Sequence, residues 1–148
     1  MPIARQTVID TARLQIGTPW VHRGRTPGLA LDCVGLVTFV ADQLGIEYRD
    51  LLGYSEFPQG AKHTSTLNKV LVSTYVDLQI GQVVVCWYAK RKLAAHIGII
   101  SEQFVGPEKA PELTIIHSFK ESKMVVEQPL SPFWSRRLLA SYDFPGVE

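Results

Sequence analysis

Leu31-Asp32-Cys33-Val34-Gly35-Leu36-Val37 is the stretch from which the rest of the chain can be read. An acidic residue stands before an apolar run that continues to Val40, and Gly45 closes it. Asp32 is a favoured N-cap type, because its carboxylate can accept a backbone N–H that the first helical turn leaves unpaired. Gly45 stands where a helix C-cap is expected. The stretch therefore predicts a buried helix over about 33–44 with a cysteine in its first turn. Unpaired N–H groups and the positive end of the helix dipole favour the thiolate there, so Cys33 is expected to have a depressed pKa. Taken alone, the stretch favours the plainer reading of Cys33 as a small buried hydrophobe.

Upstream, Ile3, Thr7 or Val8, Ala12 and Ile16 recur at helical spacing and predict an amphipathic helix over 3–16. Gly17-Thr18-Pro19 stops it. Trp20-Val21-His22-Arg23-Gly24-Arg25-Thr26-Pro27-Gly28 then reads as a loop leading into Asp32-Cys33, with Arg23 and Arg25 solvated. Residues 46–62, with Gly53, Pro58 and Gly60, read as irregular, and 64–75 as a third helix on Leu67, Val70, Leu71 and Thr74. Beyond residue 82 the period changes. Residues 82–89, 95–101, 113–119, 123–128 and 139–144 are rich in β-branched and aromatic residues and predict five strands. Lys90-Arg91-Lys92 is read as a charged turn and Phe133-Trp134 as packing on the core. Helices first and strands afterwards predict an α+β fold, with helices on one face of an antiparallel sheet.

At 148 residues the chain is expected to form one domain, 1–148. A net charge of +1 makes no electrostatic case for nucleic acid or an anionic membrane. No apolar run is long enough to span a bilayer. Met1 to Gly17 holds no continuous apolar core, so no secretory signal is expected. Cys33 and Cys86 form no C-x-x-C pair, and a reduced state is expected, with Cys86 a buried hydrophobe of the sheet.

Two histidines bear on Cys33. His96, Gly98 and Ile100 alternate onto one face of a strand, and Gly98 lets a neighbour approach closely beside His96. His117 lies near the end of the next strand. A cysteine nucleophile needs a base within hydrogen-bond reach, and that base needs a third group to fix its ring. Cys33, His96 and His117 fit those roles. A metal site built from Cys33, Cys86, His96 and His117 matches no zinc spacing, and no metal or cofactor is expected.

Asp32-Cys33-Val34-Gly35-Leu36-Val37, Ala95-His96-Ile97-Gly98-Ile99 and Ile115-Ile116-His117-Ser118, in that order, resemble the NlpC-type family of papain-like cysteine hydrolases. Gly17-Thr18-Pro19-Trp20 and Gly81-Gln82-Val83-Val84 fit the same pattern. The closing Tyr142-Asp143-Phe144-Pro145-Gly146 resembles the phage-tail and gene-transfer-agent branch.

The resemblance implies a circularly permuted papain-like α+β domain. Its N-terminal helices would pack on a mostly antiparallel sheet of five to six strands. It implies hydrolysis of peptidoglycan stem peptides, commonly at the D-glutamyl–diaminopimelate bond, with Cys33 as nucleophile, His96 as base and His117 as orienting group. Trp20, His22 and Asp32 become candidates for substrate or oxyanion contacts. The family often has a tyrosine in the loop before the nucleophile; here the aromatic is Trp20. Implied partners are a cell-wall peptide and phage tail proteins. The implied location is a virion tail, after synthesis in the cytoplasm. An inert tail component of the same fold, or a related amidase or acyltransferase, are the alternatives.

Overall fold

The computed structural model describes residues 1–47, 72–74, 78–87 and 94–148. Helix α1, Arg5–Arg13, turns Val8, Ile9 and Ala12 to the core. It is shorter than the periodicity predicts. Ile3 leaves the helical path to bridge Val147, with its N–H on Gly146 O and its carbonyl accepting from Glu148 N. The far end unwinds at Leu14, and the Gly17 N–H reaches Val125 O.

Strands β1, Arg25–Thr26, and β2, Ala30–Leu31, form a small hairpin inside what the sequence presents as loop. Helix α2, Cys33–Gln43, follows at once, with Gly35 to Ala41 all buried. Its ends obey local chemistry. Asp32 is the N-cap and accepts from Gly35 N at 2.8 Å. At the other end Gly45 has φ +69°, Gly45 N donates to Asp42 O, and Ile46 N donates to Ala41 O. That double bond pattern is a Schellman cap, and the positive φ suits glycine.

The main sheet runs in the order β3-β8-β4-β5-β6-β7, every pairing antiparallel. Its strands are β3 (Val72–Thr74), β4 (Val83–Trp87), β5 (Ala94–Gln103), β6 (Glu112–Phe119), β7 (Met124–Pro129) and β8 (Leu138–Asp143). A short helix α3, Pro132–Ser135, stands between β7 and β8. The five predicted strands are all present. The predicted third helix is corrected at its end, since residues 72–74 pair with β8 as an edge strand. The rest of that segment, the loop at 48–62, residues 88–89 and the Lys90–Lys92 turn lie outside the described residues.

Alternation sorts the sheet into two faces. Val83, Val85, Ile97, Ile99 and Ile116 join the buried side chains of α1 and α2 in the principal core. Val84, Cys86, Ile100, Ile115 and Trp134 form a second cluster on the opposite face. Trp134 is buried as expected, while its neighbour Phe133 is largely exposed. The strands thus cover α1 and α2 with one face and carry an aromatic cluster on the other.

One polar contact ties the two layers. Arg13, at the end of α1, forks onto Glu127 of β7 at 2.8 and 3.0 Å. It also reaches Ser101 Oγ and Glu102 O of β5. Thr114 of β6 donates to the same carboxylate at 2.7 Å. Burial alone would raise the Glu127 carboxyl; the bonds from Arg13 and Thr114 outweigh it and hold it below its ordinary value. Breaking a fully buried pair costs roughly 3–5 kcal/mol, and the third of Arg13 left exposed reduces that here. Glu127→Leu is expected to lower unfolding stability by about 2 kcal/mol in urea denaturation. A loss below about 0.5 kcal/mol would show that the clamp adds little.

Candidate active site

The start of α2 is seated where the ladder between β5 and β6 ends. The paired register runs from Gln103↔Glu112 to Ile99↔Ile116. Past that point both strands address α2 instead. The Ile97 backbone N–H donates to the Cys33 sulfur. The Ser118 hydroxyl donates to Leu31 O at 2.7 Å. A cysteine belonging to the helix layer is thereby set against the residue that follows His96.

The loop before α2 is held by Asp32. Its Oδ1 accepts from Gly35 N at 2.8 Å and from Arg25 Nη1 at 2.9 Å, and its Oδ2 from Arg23 N at 2.8 Å. Arg25 is therefore ion-paired rather than solvated. Gly24 and Gly35 meet backbone to backbone, since a Cβ on Gly35 would run into the Gly24 carbonyl. Asp32, a candidate for substrate or oxyanion contact, is 3% exposed and spends its oxygens on the hairpin and the helix N-terminus. Trp20 sits beside the same junction. It bridges Leu31, its backbone N–H donates to Lys123 O, and the Lys120 ammonium stands 5.5 Å from its ring centre. His22 follows in the loop, partly exposed.

His96 and His117 meet directly, His96 Nε2 lying 2.7 Å from His117 Nδ1. Both are buried. Gly98 makes room beside His117: a Cβ there would come within 2.7 Å of the Ile115 side chain and 3.2 Å of His117 Cβ. Irregularities on both sides of β4, between Cys86 and Trp87 toward β5 and between Val85 and Cys86 toward β8, fall at the Cys86↔His96 pair. Bulges of this kind re-aim side chains.

An aromatic box surrounds the pair. Phe119 stacks on His117 at 5.3 Å with rings 6° apart, and Trp134 stands edge-on to His117 at 4.9 Å. Trp134 also lies 5.3 Å from His96. His117 Nε2 is 2.9 Å from Gln128 Oε1, which also accepts from Trp134 Nε1 at 3.0 Å. Gln128 and Trp134 went unrecognised as site residues in the sequence. The available signal was a polar residue alternating onto the face of β7 opposite Val125 and Glu127, and it means something only once β7 is paired with β6.

Electrostatics correct one expectation. Burial pushes the Cys33 thiol up to about 12, and the Asp32 carboxylate beside it acts in the same direction. The N–H groups of Ile97 and Val34, and Arg25, pull it down without prevailing. Part of the residue reaches solvent, but protein packs around the sulfur. The helix-terminus argument omitted the buried negative charge of the capping residue itself. Cys86, fully buried in the second cluster, is raised by burial to about 12 as well. His117 is pushed down to about 4 by burial, against a smaller upward pull from Gln128.

Among the described residues no group of three or more His, Cys, Asp or Glu side chains could hold a metal ion. No helix of those residues is long and apolar enough to cross a membrane.

No protein-family model matches the chain, and no curated protein matches it. Solved structures do. A lipoprotein-like NLP/P60-family protein of Staphylococcus aureus superposes with a TM-score of 0.62 at 17% identity, over 99% of this chain and 44% of that one. The NlpC/p60 domain of the peptidoglycan hydrolase SagA gives 0.61 at 18%, over 96% of this chain and all of that domain. Ly7917, solved with the hydrolyzing product of MDP, gives 0.61 at 12%, over 95% of this chain and 63% of that one. The fold is thus the papain-like α+β fold of NlpC/P60 domains. This chain spans less than half the length of the staphylococcal protein.

Holding His117 neutral has a pH signature. Its folded value of about 4 lies below the ordinary 6.5, so the unfolded chain binds the extra proton between those values. The stabilisation is complete above pH 6.5 and is lost as pH falls toward 4. The 2.5-unit gap corresponds to about 3 kcal/mol. Urea denaturation at pH 7 and pH 4.5 should show wild type losing more stability than His117→Gln. Equal losses would contradict a neutral, buried His117.

Proposed function

We propose that the chain is a cysteine peptidase that hydrolyses amide bonds in peptidoglycan stem peptides. The observation that carries this reading is the junction at α2, where the Cys33 sulfur takes the N–H of Ile97, the residue after His96, whose ring pairs with His117. The similarity to the SagA hydrolase domain supports the substrate class. The D-glutamyl–diaminopimelate bond is the proposed cleavage point. A phage or prophage tail acting on the cell wall is the proposed setting. Both of these rest on the sequence resemblance.

In this mechanism Cys33 attacks the amide carbonyl carbon while His96 takes the thiol proton. Because the resting sulfur is protonated, proton removal accompanies attack instead of preceding it. The backbone N–H of Cys33, in the first turn of α2, is a donor for the tetrahedral oxyanion; losing one such donor typically costs roughly 3 kcal/mol. His96 returns the proton to the leaving amine, the C–N bond breaks, and a Cys33 thioester remains. Water, deprotonated by His96, releases the acid and regenerates the thiol. His117 orients His96 throughout. No metal or cofactor enters this scheme.

An inert tail component of the same fold is the competing reading, and the protonated resting thiol is the observation in its favour. Digestion of purified peptidoglycan, followed by mass spectrometry of released peptides, separates the two. Wild type is expected to open stem peptides at one amide bond, and Cys33→Ala to release nothing. His96→Ala should lose more activity than His117→Ala, because water can partly replace an orienting group. No product from wild type would support the inert component, and equal losses for both histidines would reassign the base.

A further inference from the structure

We propose that Gln128 is a positioning residue which, together with Trp134, fixes the tautomers of both histidines and makes Nδ1 the basic atom of His96. The argument starts at the indole. A Trp N–H can only donate, so the Gln128 atom 3.0 Å from Trp134 Nε1 is the amide oxygen, not the nitrogen. That same oxygen lies 2.9 Å from His117 Nε2, which must therefore carry its proton. Burial among Phe119 and Trp134 keeps His117 neutral, so its Nδ1 presents a lone pair. His117 Nδ1 is 2.7 Å from His96 Nε2, which must then be the donor. In its neutral form His96 is left with its lone pair on Nδ1. One amide orientation, set by one indole, thus propagates through two rings.

An amide suits this task because it orients without charge. A carboxylate would favour an imidazolium at His117, whereas Gln128 accepts the proton donor and supplies no counter-ion. The chain of bonds crosses four elements: Trp134 on α3, Gln128 on β7, and His117 and His96 on β6 and β5. Gln128 is argued to act through His117, not on substrate. The kinetic half of the test rests on the cysteine-peptidase reading; the spectroscopic half does not.

Histidine side-chain ¹⁵N NMR of the wild-type protein reads the tautomers directly. Protons on Nε2 of both His96 and His117 are expected, and a proton on Nδ1 of either ring would overturn the inference. Gln128→Leu should mix the tautomers at both rings. It should lower kcat by at least about tenfold, within the roughly 10²–10⁴-fold that acid–base catalysis contributes, and leave KM near wild type. Gln128→Glu keeps an oxygen acceptor but adds a charge, and should protonate His117 at both nitrogens near neutral pH and lower kcat as well. Unchanged tautomers in Gln128→Leu, a change confined to KM, or a neutral His117 with wild-type kcat in Gln128→Glu would each reject the role. Should wild type cleave no peptidoglycan, the peptidase reading falls, and the wild-type spectrum still decides the tautomers.

Discussion

The structure depends on how the first turn of α2 is seated against β5 and β6. A helix packed on one face of a sheet cannot ordinarily address side chains on the other. Here the ladder between the two strands stops at Ile99↔Ile116, and the strand ends turn their donors onto the helix start. The Ile97 N–H takes the Cys33 sulfur, and the Ser118 hydroxyl takes the Leu31 carbonyl. Other features serve this junction. Asp32 draws Arg23, Arg25 and Gly35 together so that the hairpin delivers Leu31 in register. A Cβ on Gly35 would meet the Gly24 carbonyl there, and one on Gly24 would meet the backbone of Ala30 and Leu31. Arg13 and Glu127 hold β5, β6 and β7 beneath α1.

The junction has an electrostatic consequence. The carboxylate that caps α2 is buried one residue from the sulfur, and it opposes the helix dipole that would otherwise favour a thiolate. The histidine pair is neutral on the side of His117, which stands in an aromatic box that penalises charge. Cys33 and His117 are thus both held uncharged. In the proposed reaction charge appears only as the sulfur meets a carbonyl. A thiol silent at rest is also protected from adventitious oxidation, which follows thiolate character.

What could be read from the residues was what local chemistry decides. The bounds of α2 follow from Asp32 and from Gly45 in its left-handed conformation, and both are single-residue signals. The strands from Val83 to Asp143 follow from their β-branched and aromatic residues, and the face expected to be shared by His96 and Gly98 from period-two alternation. What escaped depends on partners distant in the chain. Residues 72–74 carry a faint helical spacing, but pairing with Ser141 to Asp143 makes them a strand. Ile3 looks helical until the C-terminus bridges it. Arg25 looks solvated until Asp32 is seen to face it. Gln128 looks like any strand glutamine until β6 sets His117 beside it. The raised Cys33 thiol escaped because the favourable dipole is local, whereas the burial that defeats it is set by how the folded protein packs around the sulfur.

Trapping the covalent intermediate tests the central claim most directly. The protein would be mixed with a stem peptide that contains a γ-D-glutamyl amide bond, quenched in acid within the first turnover, and its intact mass measured. The account predicts an added mass equal to the acyl part of the peptide, mapped by digestion to Cys33 and absent from Cys33→Ala. A substrate that turns over with no adduct, or an adduct on Cys86, would contradict it.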